Sequence, residues 1–483
     1  MWNEESAALI RTMFHKLSVQ AMMASQAEHS FQILLLRQNS TVHVTVGCEA
    51  QRLYQFEQHS VCNPGSPRST PSLSGSSTPG SDYDSLLSNS SLLDGGDDQY
   101  VLVTGGLGFI GSHTVLELLK SGHNVIIVDD LSNSESDVFD RILRTAQQHY
   151  AILGEICPQA YFYRMDYRDM QGMQGLLEKY SWPKSLFPDS RGNIRSKITG
   201  VIHFAAYKAV EESIRQPMRY YHNNISGLLY FLDLLEEANI KKFIFSSSAA
   251  VYGTQADGSQ FLREEHVTHE PETYLDVDGN SRSTEPGYQG ITSPYGRTKF
   301  FGEAILSDLA RSDPDWTIVA LRYFNPVGCD SEGLLGEDPK GTPSNLLPVV
   351  TKVLKGQLPE LSIYGGDWDT FDGTAIRDYI HVSDLANGHT AALTAASMGR
   401  VSGFRTFNLG VGKGTTVMEV VHTMEKASQG TINRKVVERR AGDTQASIAN
   451  ADRARSELGW STSKTLFDAC YDTLNHLKLK NGV

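Results

Sequence analysis

From Tyr100 onward, short apolar runs alternate along the chain with stretches of helical periodicity. The run YVLVTGG (100–106) ends in glycines, and the run HNVIIVDD (123–130) ends in two aspartates. Between them, SHTVLELLKSG (112–122) places apolar residues at helical spacing and stops at a glycine. Strands that are apolar on both faces are typical of a parallel sheet covered by helices. The pattern therefore predicts an α/β fold, a Rossmann-type doubly wound parallel sheet.

This alternation continues to about residue 325 and then changes. Further strand-like runs lie at 160–166, 198–206, 241–249 and 317–325, and a long helix begins near Tyr295. From about Leu334 the elements become short and mixed, which indicates a second, smaller lobe. We expect a Rossmann domain at 99–333 and a mixed α/β C-terminal lobe at 334–483, with some exchange of chain between the lobes.

The first 98 residues have a different character. Residues 1–59 form an N-terminal extension whose order the pattern leaves open, although HSFQILLLRQ (29–38) and STVHVTVG (40–47) are strand-like. Residues 60–98 are rich in serine, proline and glycine. Such a composition buries too little apolar surface to offset the entropy lost on ordering. The segment 60–98 is therefore predicted to be a disordered linker.

The composition of the chain excludes several classes of binding partner. The chain has 483 residues, a formal net charge of −13 and a pI near 5.6, which argues against nucleic acid or an anionic membrane as partner. Its five cysteines are scattered and show no CxxC motif, so neither a disulfide framework nor a metal site is expected. The apolar run Ile33 to Leu36 is too short to span a bilayer. We predict a cytoplasmic protein without a bound metal.

A glycine-rich turn follows the first strand of the predicted sheet. In VTGGLGFIGSHT, Gly105, Gly108 and Gly111 recur every three residues between the strand and the next helix. Such a turn lets the backbone approach a diphosphate, and the helix N-terminus adds free N–H groups. The second strand ends in Asp129, whose carboxylate can accept from ribose hydroxyls and would repel a 2′-phosphate. The two features together predict NAD, rather than NADP, as cofactor.

A second group of polar residues is expected at the same edge of the sheet. The strand FIFSSSAAVYG (243–253) carries Ser248 near its end, and SPYGRTK (293–299) begins the next long helix. Tyr295 and Lys299 are four residues apart, so they share one helical face. A free tyrosine has a pKa of about 10, and a nearby cation favours its phenolate. We predict that Ser248, Tyr295 and Lys299 form a catalytic set beside the nicotinamide.

From about Tyr100 to Trp460 the chain resembles the extended short-chain dehydrogenase/reductase family, and within it the NAD-dependent nucleotide-sugar epimerases. The matching motifs are VTGGLGFIGSHT, VIHFAAYKAVEES, FIFSSSAAVYG, SPYGRTK, LRYFNPVG, IRDYIHVSDLA and RRAGD.

The resemblance implies a set of residues for each ligand. The NAD site would comprise the glycine turn, the loop after the second strand and residues on four later elements: Gly105, Gly108, Phe109, Ile110, Gly111, Asp129, Asp130, Leu131, Ser132, Asn133, Ser134, Asp166, Tyr167, Phe204, Ala205, Ala206, Lys208, Asn223, Tyr295, Lys299 and Phe324. The UDP-sugar would be held by Lys208, Ser248, Tyr295, Asn325, Asn345, Leu346, Ser362, Ile363, Tyr364, Arg377, Arg440, Asp443 and Ser447.

The same resemblance implies the activity, an isomerase that reversibly interconverts UDP-glucose and UDP-galactose in galactose and nucleotide-sugar metabolism. Tyr295 would remove the C4 hydroxyl proton, directly or through Ser248, while NAD oxidises C4. The 4-keto sugar would turn, and the transient NADH would reduce it from the other face. Homodimerisation through helices near 223–237 and 295–309 is also implied. A small Ser447 beside the sugar would leave room for the N-acetyl group of UDP-N-acetylhexosamines.

Two alternatives stay open at this stage. A nucleotide-sugar 4,6-dehydratase would need an acid and a base just after the active-site serine, where this chain has Ala249 and Ala250. A catalytically inactive NAD-sensing or scaffold protein would not need Ser248, Tyr295 and Lys299 together. Two stretches depart from the resemblance, one around 181–197 and the connection 253–292, and both are expected to be surface loops.

Overall fold

The computed structural model describes residues 32–38, 41–47, 99–182, 195–257, 261–276, 278–288, 290–341, 343, 345–440 and 442–481. The chain divides into two compact units, residues 1–87 and 88–483. In the first unit, strands β1 (Gln32–Gln38) and β2 (Thr41–Gly47) pair antiparallel, with Gln32 opposite Gly47. These are the two stretches with strand-like patterns. The predicted linker, 60–98, lies outside the described residues.

The second unit is built on a parallel sheet of seven strands. In chain order its strands are β3 (Tyr100–Thr104), β4 (Asn124–Asp129), β5 (Ala160–Arg164), β6 (Ile198–His203), β7 (Lys242–Ser248), β10 (Thr317–Tyr323) and β14 (Gly403–Leu409). Their spatial order is β14-β10-β7-β6-β3-β4-β5. The strand order reverses on either side of β3, as in a doubly wound fold, so the predicted fold class is confirmed.

Helices cover both faces of this sheet. In chain order the described α-helices are α1 (Phe109–Lys120), α2 (Asp137–Leu153), α3 (Met170–Lys179), α4 (Val210–Arg215), α5 (Pro217–Tyr221), α6 (Gly227–Glu237), α7 (Pro294–Ser312), α8 (Leu346–Leu354), α9 (Val382–Ser397), α10 (Val417–Ser428) and α11 (Leu466–Asn481). Within the described ranges, no helix is both long enough and apolar enough to cross a membrane.

The apolar strands explain why two helical layers are needed. On β3, Val101 and Val103 join a core formed with α1, α2 and α9. Leu102, between them, points to the other face and joins a core with α3, α6 and α7. All three side chains are essentially inaccessible to solvent. Successive strand residues face opposite sides, so a run that is apolar at every position requires cover on both.

The C-terminal lobe contains short sheets and its own core. Strands β11 (Asn325–Val327), β13 (Ile376–His381), β15 (Gly414–Thr416) and β17 (Ala446–Ser447) form one sheet, and β12 (Leu361–Tyr364) pairs with β16 (Arg434–Val437). Helices α8, α10 and α11 pack there around a third apolar core. Between these elements, α9 and β14 return to the large sheet. The division into a Rossmann domain at 99–333 and a C-terminal lobe at 334–483 stays a prediction.

The connection from residue 253 to 292 is only partly a surface loop. It contains an exposed hairpin of β8 (Glu272–Leu275) and β9 (Ser281–Thr284). Leu262, Val267 and Ile291, however, are buried in a core with Phe300 of α7. The expectation of a surface loop is therefore wrong for the segment 261–269, because its apolar side chains pack against the helix that carries Tyr295 and Lys299. The other stretch expected to be a surface loop, around 181–197, includes residues 183–194, which lie outside the described ranges.

Candidate active site

A cavity of about 500 Å³ lies at the carboxyl edge of the large sheet. The carboxyl ends of β3, β4, β6 and β7 border this cavity. Open parallel sheets of this type bind their ligands at that edge. Many of the predicted cofactor residues line it: Gly105, Gly108, Phe109, Ile110, Gly111, Asp129, Asp130, Ser132, Asn133, Ser134, Asp166, Tyr167, Phe204, Ala205, Ala206, Lys208, Asn223, Tyr295 and Lys299.

The glycine turn leaves no room for side chains. Gly105 has a φ of +69°, and a Cβ added there would stand 2.8 Å from the Ala205 nitrogen. A Cβ on Gly111 would stand 2.2 Å from the Gly105 carbonyl oxygen. No described side chain caps α1 at Gly108. The turn therefore presents bare backbone and a helix N-terminus to the cavity, an arrangement suited to a diphosphate.

Asp129 organises the loop that follows β4. Its Oδ2 accepts from the Leu107 nitrogen at 3.0 Å, and its Oδ1 accepts from the Leu131 nitrogen at 2.9 Å and from Ser134 Oγ at 2.7 Å. Leu131 has a left-handed φ of 60°, which is uncommon for a branched side chain. Because a carboxylate has about four acceptor positions, these three bonds leave Asp129 able to accept from a ribose hydroxyl.

The three predicted catalytic residues come from two elements that meet at the cavity. Ser248 is the last residue of β7, and Tyr295 and Lys299 lie on the first turns of α7. Ser293 caps α7 by accepting from the Gly296 nitrogen at 3.1 Å, which fixes where this helix begins. Lys299 Nζ donates to the Ser246 carbonyl at 2.5 Å. Tyr295 and Lys299 thus line the cavity, and Ser248, which does not line it, adjoins them through its hydrogen bond with Tyr295.

The ionisation of Tyr295 and Lys299 differs from the sequence expectation. Burial raises the pKa of Tyr295, and its hydrogen bond with Ser248 opposes that rise without cancelling it. Burial also lowers the pKa of Lys299 to about 7. The lysine Nζ is 6.0 Å from the centre of the Tyr295 ring. In the protein by itself, therefore, burial outweighs any effect of Lys299 on the pKa of Tyr295; a charged lysine and an oxidised nicotinamide would both favour the phenolate.

Of the residues predicted to hold the UDP-sugar, a second cluster is formed by Tyr364, Arg377, Arg440, Asp443 and Ser447. Asp443 lies 3.6 Å from Arg377 and 3.2 Å from Arg440. The Arg440 guanidinium stacks 4.4 Å from the centre of the Tyr364 ring. Ser447 on β17 is directly beside Arg377 on β13. Guanidinium forks and an aromatic face are suitable for a nucleoside diphosphate.

Some predicted residues are not on the cavity wall. Among them, Phe324 packs beside Tyr252, with ring centres 6.5 Å apart, and the Leu131 carbonyl accepts from Lys340 Nζ at 2.8 Å. The others that do not line the cavity are Ser248, Asn325, Leu346, Ser362, Ile363, Tyr364, Arg377, Arg440, Asp443 and Ser447. The roles of all these residues stay predictions.

Glu337 is a cavity residue that sequence reasoning missed. It accepts from Asn345 Nδ2 at 2.6 Å and pairs with Lys208 Nζ at 3.4 Å, so it joins two predicted ligand-binding residues. It belongs to the segment Gly336 to Lys340, all of which lines the cavity. Nothing in the spacing of GEDPK marks this segment, because it is an irregular loop whose position depends on tertiary contacts.

The doubly wound sheet, the glycine turn and the Ser–Tyr–Lys set define a member of the extended short-chain dehydrogenase/reductase class. The family model described as GDP-mannose 4,6 dehydratase matches residues 102–473. The UDP-glucose 4-epimerase of Drosophila melanogaster is 42% identical over 375 residues, which cover 77% of this chain and 95% of the fly protein.

Solved structures agree with these relatives. The Bifidobacterium longum UDP-glucose 4-epimerase, crystallised with NAD+ and UDP, is 41% identical with a TM-score of 0.63, covering 80% of this chain and 99% of the other. The UDP-Glc/GlcNAc 4-epimerase of Campylobacter jejuni is 29% identical with a TM-score of 0.58, covering 79% and 99%. The chain belongs to the UDP-glucose 4-epimerase family.

The close approach inside the glycine turn predicts the effect of one added methyl group. In Gly111→Ala the new Cβ would overlap the Gly105 carbonyl, so the turn must deform, at a cost of about 1–3 kcal/mol. We expect the affinity for NAD, measured by calorimetry on cofactor-stripped protein, to fall at least about tenfold.

Gly175→Ala is the matched control, because Gly175 is exposed within α3 and an added Cβ there meets nothing within 4 Å. This change should leave NAD affinity unaltered and raise stability by about 0.5–1 kcal/mol. Equal NAD affinities of the Gly111 variant and the wild-type protein would contradict a diphosphate site at this turn.

Proposed function

We propose that the protein is an NAD-dependent isomerase that interconverts UDP-glucose and UDP-galactose by inverting the configuration at C4. The observation that carries the proposal is that Lys299 and Tyr295, which is hydrogen-bonded to Ser248, line the same cavity as the glycine turn and Asp129. This arrangement combines a proton-transfer group with a dinucleotide cradle. The names of the relatives at about 40% identity point to the same substrate pair.

The cavity residues fit NAD. Side chains are sterically excluded where the diphosphate would lie, at Gly105 and Gly111, and a carboxylate with spare acceptor capacity stands where the adenosine ribose would lie, at Asp129. That carboxylate would repel the 2′-phosphate of NADP. When bound, NAD supplies a reversible two-electron oxidation of the sugar carbon. The protein supplies binding, orientation and proton handling.

Proton transfer is assigned to Tyr295. Its hydroxyl hydrogen-bonds with Ser248, and this bond favours the phenolate form. Tyr295 would accept the proton of the C4 hydroxyl, directly or through Ser248, and return it when the sugar is reduced. A charged Lys299 stabilises the phenolate that exists before the first of these steps and after the second.

Binding of the UDP end is assigned to the cluster of Tyr364, Arg377, Arg440 and Asp443. Arg377 and Arg440 both contact Asp443, so the two guanidinium groups are held close together and can fork onto a diphosphate. Asp443 can accept from the hydroxyls of the uridine ribose. Because these contacts hold the nucleotide and leave the sugar to one side, the sugar is able to present either face of C4 in turn.

The description of the matching family model names a dehydratase, an activity that needs different residues. Elimination of water requires an acid and a base, and family resemblance places them directly after the active-site serine. Here Ala249 and Ala250 follow Ser248, and both lie in a short helical segment, Ala249–Asp257. Alanine can transfer no proton. Epimerisation, which needs no second proton-transfer pair, is therefore the better assignment.

Turnover of UDP-galactose tests this function directly. Purified protein should form UDP-glucose without added NAD, because a cofactor that is regenerated in each cycle need not leave. Tyr295→Phe should lower kcat by about 10²–10⁴-fold, since the proton acceptor is lost. Its NAD content, measured after acid extraction, should equal that of the wild-type protein.

Tyr288→Phe makes the same chemical change at an exposed residue whose ring packs 4.4 Å from that of Phe300. Its kcat should be unchanged. Formation of a 4-keto-6-deoxy sugar, or no turnover by wild-type protein even with added NAD, would show that the assignment is wrong.

UDP-N-acetylhexosamines are a second candidate substrate class. The observation that favours them is Ser447, a small half-buried side chain directly beside Arg377 in the UDP-sugar cluster. A bulky residue there would compete for space with an N-acetyl group.

Ser447→Tyr should therefore lower kcat/KM for UDP-N-acetylgalactosamine at least about tenfold relative to UDP-galactose, both followed by coupled assay. Ser447→Ala, which keeps the side chain small, should retain the wild-type ratio. A Ser447→Tyr protein that turns over both substrates as wild type does would remove this candidate.

A homodimer is the proposed assembly. On α6, Leu229 and Tyr230 are 43% and 52% exposed, and on α7 Phe301 is 38% exposed. Phe301 lies beside Tyr221, the last residue of α5, with ring centres 6.4 Å apart. Exposed apolar groups on neighbouring elements are typical of association surfaces. The predicted cytoplasmic location stays a prediction.

Leu229→Arg should weaken the dimer, because it places a charge in the surface shared by the two copies. In sedimentation velocity the wild-type chain of 53.3 kDa should sediment as a dimer, and the variant should shift toward the monomer. Met398→Arg, at a residue that is 70% exposed at the end of α9, should leave the dimer intact. Wild-type protein that sediments as a monomer at micromolar concentration would contradict the assembly.

A further inference from the structure

A second buried charge lies on the same helix as Lys299. Glu303 follows it by one helical turn, and its side chain has no solvent exposure. Its Oε1 accepts from Ser247 Oγ and, at 3.0 Å, from Arg322 Nε. Its Oε2 accepts from Arg322 Nη2 at 2.7 Å and lies 3.0 Å from His269 Nε2. The carboxylate is therefore held from β7, from β10 and from the segment 261–269.

Glu303 remains ionised in this position. Burial by itself would raise the pKa of the carboxyl, but Arg322 and His269 outweigh burial and the pKa falls to about 2. Arg322 is in turn fixed by donating to the Tyr252 hydroxyl at 3.1 Å and to the Val267 carbonyl at 2.8 Å. A buried ion pair with its hydrogen bonds satisfied keeps both charges. Helix α7 thus carries a permanent negative charge one turn beyond Lys299.

The protonation of Lys299 is favoured by the negative charge of Glu303. Burial lowers the pKa of Lys299 to about 7, and Glu303 is the described group that opposes this effect. The residues that face the ammonium from β7, β6 and its own helix are Phe245, Ser246, His203 and Tyr295. None of the four supplies a negative charge at neutral pH: burial and then Lys299 lower the pKa of His203 to about 3, and burial raises the pKa of Tyr295.

We propose that Glu303 is a positioning residue for the epimerisation: it raises the protonated fraction of Lys299 and, through Ser247, fixes the end of β7. Ser247 lies between Ser246, which accepts from Lys299, and Ser248. The Glu303 carboxylate therefore affects both the protonation of Lys299 and the positions of Ser246 and Ser248. The inference rests on the proposed function, in which a cationic Lys299 favours the phenolate of Tyr295.

Glu303→Gln tests the charge while preserving size and hydrogen bonding. In full-length protein labelled with [13Cε]lysine, the Lys299 signal is assigned by its loss in Lys299→Met. We expect this signal to titrate about one pH unit lower in Glu303→Gln than in wild type, because the nearby negative charge is gone. In the profile of kcat against pH, the alkaline limb should shift to lower pH by the same amount. Glu303→Asp, which keeps the charge, should restore the wild-type titration.

Glu265→Gln is the matched control, because Glu265 forms another buried pair, 2.9 Å from Arg453, and does not act on Lys299. Its Lys299 signal should titrate as in wild type. If an unpaired Arg322 prevents folding, Glu303→Gln/Arg322→Gln removes both charges, and a smaller downward shift is expected because the loss of the Arg322 cation offsets part of the loss of the Glu303 carboxylate.

An unchanged Lys299 titration in whichever of these two variants folds would overturn the proposal. A downward shift of the lysine with no movement of the alkaline limb would also overturn it, since Glu303 would then act on Lys299 without acting on the reaction. Failure of wild-type protein to epimerise UDP-galactose would instead overturn the proposed function, and the lysine titration reports on Glu303 separately from turnover.

Discussion

The parallel alignment of the seven strands is the constraint on which the site depends. Because every strand runs in the same direction, the carboxyl ends of β3, β4, β6 and β7 meet at one edge, although they are separated by up to 144 residues of chain. The glycine turn, Asp129 and Ser248 are close in space for that reason alone. Each strand is apolar on both faces, so the sheet is buried by helices on either side, and only its edge can hold polar groups that meet a ligand.

The sequence predicted the fold, and the features of the candidate site to which it pointed also follow from local patterns. Buried strands, amphipathic helices, the glycine turn and the four-residue spacing of Tyr295 and Lys299 are all visible in short stretches of chain. Glu337 and the pair of Glu303 with Arg322 were not visible in this way. Their partners lie on other elements, and the residues involved are of types that occur mostly on surfaces. The buried segment 261–269 was missed for the same reason.

Electrostatics inside the site also could not be taken from the sequence. Proximity of a lysine to a tyrosine suggests a lowered tyrosine pKa, but burial acts on both groups and in the opposite sense on each. It raises the pKa of Tyr295 and lowers that of Lys299, so both are driven toward their neutral forms. The ionised forms of Tyr295 and Lys299 that catalysis needs therefore depend on other charged groups nearby. Burial creates this need, and burial can be seen only in the packed structure.

Because α9 and β14 return to the large sheet, each of the two lobes is built from more than one segment of the chain. The chain leaves the sheet after β10, builds part of the C-terminal lobe with α8, β12 and β13, comes back for β14 and then leaves again for α10 and α11. Neither lobe is a continuous stretch of polypeptide. No single cut in the gene could yield the dinucleotide-binding half or the sugar-binding half as an intact piece, so any recombination that exchanges one half must exchange several segments at once.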